Sequence, residues 1–400
     1  MNILFLCTNK ATRNASGGIA RVTINLSRLF TDKGNICRMA YYNYVQGEND
    51  GCFESTIELT SDNQLQALME QGAWADLFII QIQMSKAYLH LIPIIDSIRQ
   101  RHGTKMIYCH HNMPFTEVVG NNFKYLGYLL FHSAYPLSQR IKDSVWCLYS
   151  MAFPKMATRK IARRRQYALS HMDMTVLLSD RFAPELKRYV DLDPDKLTGI
   201  GNCFTFKESL SQEELALKEK KILIVSNMTE RAKRVSTALR IWKRVEKIYG
   251  TQDWKLILVG DGEDIGYYRK LAVRYRLKNC VFEGRQNPME YYRKGSILML
   301  TSAYEGFGMV ILEAQQMGCV PIVFDSYQSV HDIIEDGLNG ILVRNNDYKL
   351  FADRLYNLMT DHERLMSMAA NCLEGNLEFT QDTIWNKWEN LFNKLVKDRL

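Results

Sequence analysis

Two glutamates eight positions apart are the side chains of this 400-residue chain best suited to chemistry. Glu305 lies on a loop after a predicted buried strand that ends at Thr301, and Glu313 lies about one turn inside the helix predicted next. A carboxylate at the second position can accept hydrogen bonds from two hydroxyl groups, such as those of a ribose. The pattern therefore predicts two acids that bracket a sugar phosphate. The alternative is a solvated loop acid at 305 and an exposed helix acid at 313.

Two glycines between these acids favour the binding interpretation. Gly306 and Gly308 have no side chain, so the backbone beside them can approach a ligand closely. The helix is predicted to begin near Met309, where its first N–H groups have no partner within the helix and can hold a phosphate. A further buried strand follows, in the sequence GCVPIV that begins at Gly318.

Alternating strands and helices must position this segment. In the first half of the chain the predicted strands are Ile3–Cys7, Asp76–Gln81, Lys105–His110 and Met174–Ser179. In the second half they are Ile222–Ser226, Lys255–Gly260, Cys280–Glu283, Ser296–Thr301 and Val320–Phe324. This alternation favours an α/β fold of two doubly wound, Rossmann-like domains facing a central cleft, because ligands bind at the carboxyl ends of parallel strands.

A polar, charge-rich stretch marks the predicted domain boundary. We expect residues 1–206 to form the first domain and residues 221–378 the second, with residues 207–220 as the linker. Residues 379–400 should form a C-terminal helix that packs back toward the first domain, because apolar residues recur along one of its faces.

Composition excludes several classes of protein. The hydrophobic fraction of 46% and the charged fraction of 24% are typical of a globular chain, and the net charge of +7 is too mild to indicate nucleic-acid binding. Nine dispersed cysteines without a zinc-type spacing favour reduced thiols and a cytoplasmic location. No signal peptide and no membrane span are predicted, so we expect a soluble protein or one that lies on a membrane surface.

The motif around the two glutamates resembles the donor-binding segment of the family 4 glycosyltransferases, which are retaining enzymes of the GT-B fold. The matching residues are EGFG and EA at 305–314, GCVPIV at 318–323 and EDGLNG at 335–340. The resemblance is strong over residues 222–343 and weaker over the first half of the chain. It implies that the first domain serves the acceptor and the second binds a nucleotide-sugar.

The resemblance also implies roles for residues of the second domain. Glu313 would bind the ribose of the donor, and Glu305 would contact the transferred sugar. Four backbone N–H groups would face the sugar and the diphosphate, those of Phe307, Gly308, Met309 and Val310. The family needs no metal, and we expect no cofactor besides the donor, a UDP- or GDP-sugar.

A basic loop after the first strand of the second domain is expected to hold the diphosphate. A departing nucleoside diphosphate develops negative charge, which cationic side chains stabilise where no metal does. Lys233 occupies the family's lysine position, but Asn227 stands where the family has arginine. Either Arg231 enters from a shifted loop, or Lys233 and the helix N-terminus suffice, or activity is low. The alternative is that Lys233 and Arg234 are ordinary surface cations.

Two loops of the first domain complete the resemblance. Gly17 and Gly18 lie between the first strand and its helix, where the family passes a glycine loop beneath the donor phosphates. Taken alone, the pair equally fits a tight turn. The family also has a histidine at the end of the strand Lys105–His110, beside the donor sugar. His111 fits that position best and His110 second, and the alternative is a structural histidine.

Two further features are open to two interpretations each. Arg285 follows the third strand of the second domain and either contacts the base of the donor or lies on a surface loop. The basic run Arg159–Arg165 is either a solvated helix face or a contact with anionic lipid headgroups, on the inner face of the plasma membrane. Aromatic residues are not interleaved with it as single-stranded nucleic acid would require.

These features predict a hexosyltransferase that moves a hexose-type sugar to a glycan or lipid-linked saccharide, in surface polysaccharide, lipopolysaccharide or capsule synthesis. No second acid is evident on the side of the first domain, so we expect front-face departure of the diphosphate rather than a carboxylate nucleophile. A nucleotide-sugar 2-epimerase and a non-catalytic sugar-nucleotide-binding protein are the alternatives. A dinucleotide-dependent dehydrogenase is disfavoured, because no GxGxxG follows the first strand.

Overall fold

The chain forms two compact units, each built on one parallel sheet. The computed structural model describes residues 1–12, 18–47, 52–83, 85–251, 253–375 and 377–396. The first unit comprises Met1–Pro114, Thr158–Cys203 and Glu378–Leu400, and the second comprises Phe115–Ala157 and Phe204–Leu377. The predicted α/β class with two parallel sheets is confirmed.

The first sheet has seven parallel strands. In chain order they are β1 (Asn2–Asn9), β2 (Ile36–Asn43), β3 (Ser55–Glu58), β4 (Leu77–Ile80), β5 (Lys105–His110), β6 (Met174–Leu177) and β7 (Leu197–Gly199). Their order across the sheet is β3-β2-β1-β4-β5-β6-β7. The interior strands β4 and β6 are buried along their whole length, as expected for a sheet covered on both faces.

The second sheet has six parallel strands. They are β8 (Glu219–Val225), β9 (Lys255–Val259), β10 (Cys280–Gly284), β11 (Gly295–Leu300), β12 (Val320–Asp325) and β13 (Ile341–Arg344). Their order is β10-β9-β8-β11-β12-β13, so β8 and β11 are central neighbours although about 70 residues separate them along the chain. The loops after β8 and β11, which carry the predicted donor-binding residues, therefore leave the sheet side by side.

Fifteen α-helices surround these sheets in the described part of the chain. They are α1 (Gly18–Asp32), α2 (Gln64–Trp74), α3 (Leu91–His102), α4 (Phe123–Phe131), α5 (Leu137–Ala152), α6 (Pro154–Leu169), α7 (Ala183–Lys187), α8 (Glu230–Lys233), α9 (Val235–Ile248), α10 (Ile265–Tyr275), α11 (Pro288–Lys294), α12 (Met309–Gln316), α13 (Tyr348–Thr360), α14 (His362–Glu374) and α15 (Gln381–Val396). Within the described ranges, none of these helices has the length and apolar character needed to cross a membrane.

The segment Phe115–Ala157 packs with the second sheet, whereas the sequence division assigned it to the first domain. Polar contacts hold α4 against loops and helices of the second unit. The Tyr128 hydroxyl donates to the Asp264 carboxylate, and Lys124 Nζ donates to Thr237 Oγ1 at 2.8 Å. Because these partners are more than a hundred residues away in the chain, no local pattern predicts the pairing.

The stretch expected to be a linker also packs within the second unit. The Lys218 ammonium donates to the main-chain carbonyls of Tyr292 at 2.7 Å and Gly295 at 2.9 Å, and β8 already begins at Glu219. Burial lowers the pKa of Lys218 to about 8. Residues 207–220 are therefore an integral part of the second unit.

The C-terminal helix α15 packs within the first unit. Three aromatic side chains of this helix surround the Phe30 ring of α1, with ring centroids 5.3 to 6.0 Å away: Trp385, Trp388 and Phe392. Edge-to-face aromatic contacts of this kind stabilise a helix pair beyond the area they bury. Burial of one face of α15 against α1 explains the periodicity seen in the sequence.

Candidate active site

Glu305 is held by a cation and a hydroxyl group on the loop between β11 and α12. Lys233 Nζ donates to both carboxylate oxygens, at 2.6 Å and 2.8 Å, and Ser302 Oγ donates to one of them at 2.6 Å. The side chains of Lys233 and Glu305 are 21% and 12% exposed, so the pair retains an opening to solvent. The structure thus brings together two residues that the sequence placed 72 positions apart.

The N-terminus of α12 adjoins this ion pair. Gly308 caps the helix with φ of 100°, a left-handed conformation that favours glycine. A Cβ atom built on it would lie 3.1 Å from the Tyr327 hydroxyl, so a side chain there would also crowd its neighbour. Helix α12 starts at Met309, which leaves the N–H groups of Met309 and Val310 with no acceptor inside the helix, whereas the Ile311 N–H donates to the Gly308 carbonyl at 2.7 Å. The side chain of Phe307, on the loop before the helix, is buried.

Glu313 is fully buried one turn further along α12. Its carboxylate accepts hydrogen bonds from Thr205 Oγ1 at 3.0 Å and from the Tyr292 hydroxyl at 3.2 Å. A buried carboxylate needs such donors, because it loses its hydration on burial. Without hydrogen-bond partners this loss costs on the order of several kcal/mol. Glu313 is therefore not the exposed helix acid of the alternative interpretation. Its role toward a ribose stays a prediction.

The remaining predicted donor residues of the second unit lie in different surroundings. The Arg231 guanidinium donates to the Glu117 carbonyl at 3.0 Å and lies over the Tyr125 ring, 5.9 Å from its centroid. Asn227 is exposed just after β8, and Arg285 is exposed on the loop between β10 and α11. Of the basic residues predicted to hold a diphosphate, Lys233 is thus the one bonded to Glu305.

Arg234 has a role that the sequence did not reveal. Its guanidinium donates to the carbonyls of Thr301 at 2.9 Å and Ser302 at 2.6 Å, and to the side-chain oxygens of Asn345 at 3.0 Å and Asn346 at 2.9 Å. These bonds tie the loops after β11 and β13 to the turn that carries Lys233. The alternative interpretation of Arg234 as an ordinary surface cation is therefore wrong. No local pattern marks this role, because its hydrogen-bond partners lie 67 to 112 positions away in the chain.

Tyr327 is a second residue that sequence reasoning missed. Its ring is 3% exposed, and its hydroxyl group has no hydrogen-bond partner among the described residues. Burial, together with the negative charge of Glu305, raises the pKa of this phenol well above its ordinary value. The hydroxyl group is therefore a neutral donor beside Gly308. An unpaired buried hydroxyl has no sequence signature, since only the neighbouring loops determine its partners.

The predicted residues of the first unit have separate environments. Gly17 lies outside the described residues, and Gly18 begins α1 on an exposed turn. His110 ends β5 and is buried, and His111 lines a small cavity whose wall includes Cys109 and Trp388. Burial lowers the pKa of His111 to about 4, and burial near Arg165 lowers that of His110 well below its ordinary value. Both imidazoles are therefore neutral at pH 7.

The basic run on α6 divides between two faces. Arg159, Lys160 and Arg163 are exposed, whereas Arg165 is buried at 8% exposure beside His110. The membrane contact expected of the whole run Arg159–Arg165 is therefore wrong for Arg165, because helical geometry turns that residue inward.

In the part of the chain that the structure describes, no group of three or more His, Cys, Asp or Glu side chains could hold a metal ion.

Comparison with known proteins agrees with this architecture. Residues 206–373 match the family model described as glycosyl transferases group 1. The amylovoran biosynthesis glycosyltransferase AmsD of Erwinia amylovora is 29% identical over 200 residues, which cover 48% of this chain and 55% of that protein. The match thus spans about half the length of that relative.

Two solved structures share the fold over almost the whole chain. HepE from Anabaena, in complex with UDP-glucose, is 13% identical with a TM-score of 0.71, covering 98% of this chain and 100% of that one. Sucrose-phosphate synthase from Thermosynechococcus elongatus is 16% identical with a TM-score of 0.72, covering 100% of both chains. The fold is that of the GT-B glycosyltransferases. The match to the group 1 glycosyl transferases covers residues 206–373, less than half of the chain.

Proposed function

We propose that the chain is a retaining, metal-independent glycosyltransferase that moves a hexose-type sugar from a UDP- or GDP-sugar to a glycan or lipid-linked acceptor. The observation that carries this proposal is the Lys233–Glu305 pair beside the N-terminus of α12. A cation and unpaired N–H groups at one point suit a diphosphate, and a carboxylate next to them suits sugar hydroxyl groups. We further propose a role in surface polysaccharide synthesis; the Erwinia relative, an amylovoran biosynthesis glycosyltransferase, supports a biosynthetic role.

In the proposed reaction the bond between the anomeric carbon and the diphosphate oxygen breaks first. Lys233 and the first N–H groups of α12 stabilise the negative charge that develops on the diphosphate. The acceptor hydroxyl group then attacks the same face of the sugar, and its proton passes to the departing phosphate oxygen. Glu305 exchanges its bond to Lys233 for hydroxyl groups of the sugar, so donor binding and opening of the ion pair are coupled.

Thermal-shift measurements with a panel of nucleotide-sugars test donor binding, because a bound ligand raises apparent stability by mass action. Glu313→Ala should abolish the shift. Glu305→Ala should keep nucleotide binding but lose transfer, and loss of both to the same extent would contradict the division of roles. Glu290→Ala, an exposed glutamate on α11, is the matched control and should change neither property.

Two further outcomes bear on the mechanism. Activity that disappears with a chelator and returns with manganese would contradict metal independence. A trapped covalent glycosyl-enzyme on any carboxylate would contradict front-face departure and support a nucleophilic acid instead.

A non-catalytic sugar-nucleotide-binding protein is the second candidate. It is favoured by Asn227 in place of a basic residue and by Arg231, whose guanidinium is bonded to the Glu117 carbonyl. A binder would show a donor-induced thermal shift without slow hydrolysis of the donor. Detectable hydrolysis that is lost in Lys233→Met would favour the enzyme.

The proposed partners are the nucleotide-sugar and the glycan or lipid-linked acceptor, with no nucleic acid. We place the reaction in the cytoplasm, where nucleotide-sugars would be the donors, with the protein at the inner face of the plasma membrane. The exposed cations of α6 support that location, since anionic headgroups attract them. Fractionation of cells that express the full chain tests it.

A further inference from the structure

The hydroxyl group of Tyr327 is buried and unpaired at the edge of the candidate site. Tyr327 lies just after β12, and its side chain is 3% exposed. Its hydroxyl oxygen is shielded from solvent and has no hydrogen-bond partner among the described residues. Such a group costs stability, because it gives up hydrogen bonds to water without replacing them. A cost of this kind at a functional site indicates a partner that is present in another state of the site.

The loop that carries Tyr327 is fixed to the loop between β11 and α12, which carries Glu305. Ser326 Oγ donates to the Ser302 carbonyl at 2.8 Å, and Ser329 Oγ donates to a main-chain carbonyl of the same loop at 3.2 Å. These two serines flank Tyr327 in the chain. The phenol is therefore held against the Glu305 loop, so side-chain rotations suffice to change its partner.

The hydroxyl group of Tyr327 lies close to that loop and keeps its proton. A Cβ atom built on Gly308 would be 3.1 Å from the hydroxyl oxygen. Burial and the negative charge of Glu305 hold the pKa of the phenol well above its ordinary value. The phenol is therefore neutral at pH 7 and can donate a hydrogen bond to a carboxylate.

Glu305 is the acceptor that changes partners in the proposed reaction. Its carboxylate accepts from Lys233 Nζ at 2.6 Å and 2.8 Å and from Ser302 Oγ at 2.6 Å. When Lys233 turns to the diphosphate, the carboxylate keeps the bond from Ser302 and loses both bonds from the ammonium group. At 12% exposure it has little access to water, so it needs another donor.

We propose that Tyr327 is a positioning residue, whose hydroxyl group donates to the Glu305 carboxylate once Lys233 has left it. The new bond holds the carboxylate in the direction of the transferred sugar. The inference rests on the proposed function, because it takes donor binding as the event that opens the ion pair. The bond itself forms whenever the pair is open, so it can be tested without a donor.

A double-mutant cycle in the ligand-free protein tests this exchange of partners. In the wild type, Tyr327→Phe should raise Tm by about 2–4 °C, because it removes an unpaired hydroxyl group. In Lys233→Met no ammonium group holds Glu305, so the same change should lower Tm by about 2–4 °C, because it removes a bonded hydroxyl group. In Glu305→Ala the acceptor is missing, and Tyr327→Phe should raise Tm as in the wild type.

Tyr249→Phe is the matched control for the cycle. Tyr249 follows α9 in the same unit, and its hydroxyl group donates to the Asp353 carboxylate at 2.5 Å. Loss of this phenol should change Tm by the same amount in the wild type, in Lys233→Met and in Glu305→Ala. Lys233→Ala replaces Lys233→Met if the latter does not unfold cooperatively.

Slow hydrolysis of the donor gives a second measurement, with the nucleotide-sugar that stabilises the wild type most. Tyr327→Phe should keep the donor-induced thermal shift, because the nucleotide does not depend on Glu305. It should lower the rate of hydrolysis at least about tenfold, the effect of one hydrogen bond to a charged group. A tyrosine that only fills space would change Tm and leave this rate unaltered, as Tyr249→Phe should.

Three results would overturn the proposal. They are a change of Tm with the same sign for Tyr327→Phe in the wild type and in Lys233→Met, a decrease of Tm in Glu305→Ala, and hydrolysis by Tyr327→Phe at the wild-type rate. The proposed function fails separately, if no nucleotide-sugar stabilises the wild type. In that case the cycle of Tm values, measured without donor, still decides whether Tyr327 pairs with Glu305.

Discussion

Arg234→Lys should destabilise the second unit, although it keeps the charge and nearly the length of the side chain. The guanidinium makes four hydrogen bonds in fixed directions, two to main-chain carbonyls and two to asparagine side chains. A lysine ammonium on a flexible stem cannot reproduce this planar arrangement. The buried Thr301 carbonyl would lose its side-chain donor, whereas the Ser302 carbonyl would keep the hydrogen bond from Ser326 Oγ at 2.8 Å.

The expected loss follows from those contacts. A hydrogen bond to a charged group contributes about 1.5–3 kcal/mol, and a buried carbonyl left without a partner costs about 1–3 kcal/mol. The bonds to Asn345 and Asn346 count for little, because both residues are exposed and water can replace the donor. We therefore expect a loss of about 2–3 kcal/mol, or roughly 5–10 °C in Tm for a unit of this size.

Thermal unfolding followed by calorimetry measures this difference, with Arg276→Lys as the control. Arg276 is also an arginine with positive φ, 57° against 48° for Arg234, but it is exposed at the end of α10. The two substitutions therefore share the change in side chain and the backbone conformation. If both variants melt within about 1 °C of the wild type, the hydrogen bonds of Arg234 do not stabilise the site loops as argued here.

Three further predictions concern single side chains. Burial lowers the pKa of His111 from 6.5 to about 4. On acidification the imidazole is therefore protonated in the unfolded chain at a higher pH than in the folded protein. The free energy of unfolding should fall by up to about 3 kcal/mol as the pH drops from 6.5 to 4. In His111→Gln the decrease in Tm between pH 7 and pH 5 should be smaller, and an unchanged decrease would rule this explanation out. Arg276→Gly should raise Tm by a few degrees, since glycine adopts the left-handed conformation without the strain of about 1–2 kcal/mol that a side chain brings; a lower Tm would show that chain entropy outweighs that strain. Tyr327→Phe should stabilise the ligand-free protein by about 1 kcal/mol, because it removes a buried hydroxyl group that lacks a partner, and urea unfolding that shows a loss would imply that the hydroxyl group is bonded.

Elements with a continuous apolar run were predictable from the sequence. Strand β5 has the predicted bounds, β9 and β12 differ from prediction by one residue at one end, and β11 is shifted by one residue at both ends. Strands β2, β3, β7 and β13 were missed. Three of them, β3, β7 and β13, have only three or four residues and lie at a sheet edge, and in β2 the polar Arg38 interrupts the apolar run. An edge strand that buries little lacks the apolar signal on which such predictions depend.

The candidate site was predictable where its residues follow strand ends. Glu305 and Lys233 each come after a central strand, and the neighbouring positions of β8 and β11 bring their loops together. The sequence could not predict that the two side chains bond each other, nor that Thr205 and Tyr292 enclose Glu313. Side-chain pairing across loops depends on the distances that the folded sheet imposes.

The sequence by itself thus determined the α/β class, the alternation of strands and helices and the strand-end loops that carry Lys233 and Glu305. These features arise from interactions between residues close together in the chain, which leave a periodic or glycine-marked pattern. Only the tertiary structure decided that the segment 115–157 packs with the second sheet, that Arg234 holds two loops and that Arg165 points inward. Each of those outcomes depends on partners brought together by folding from distant positions, and a linear pattern does not encode such partners.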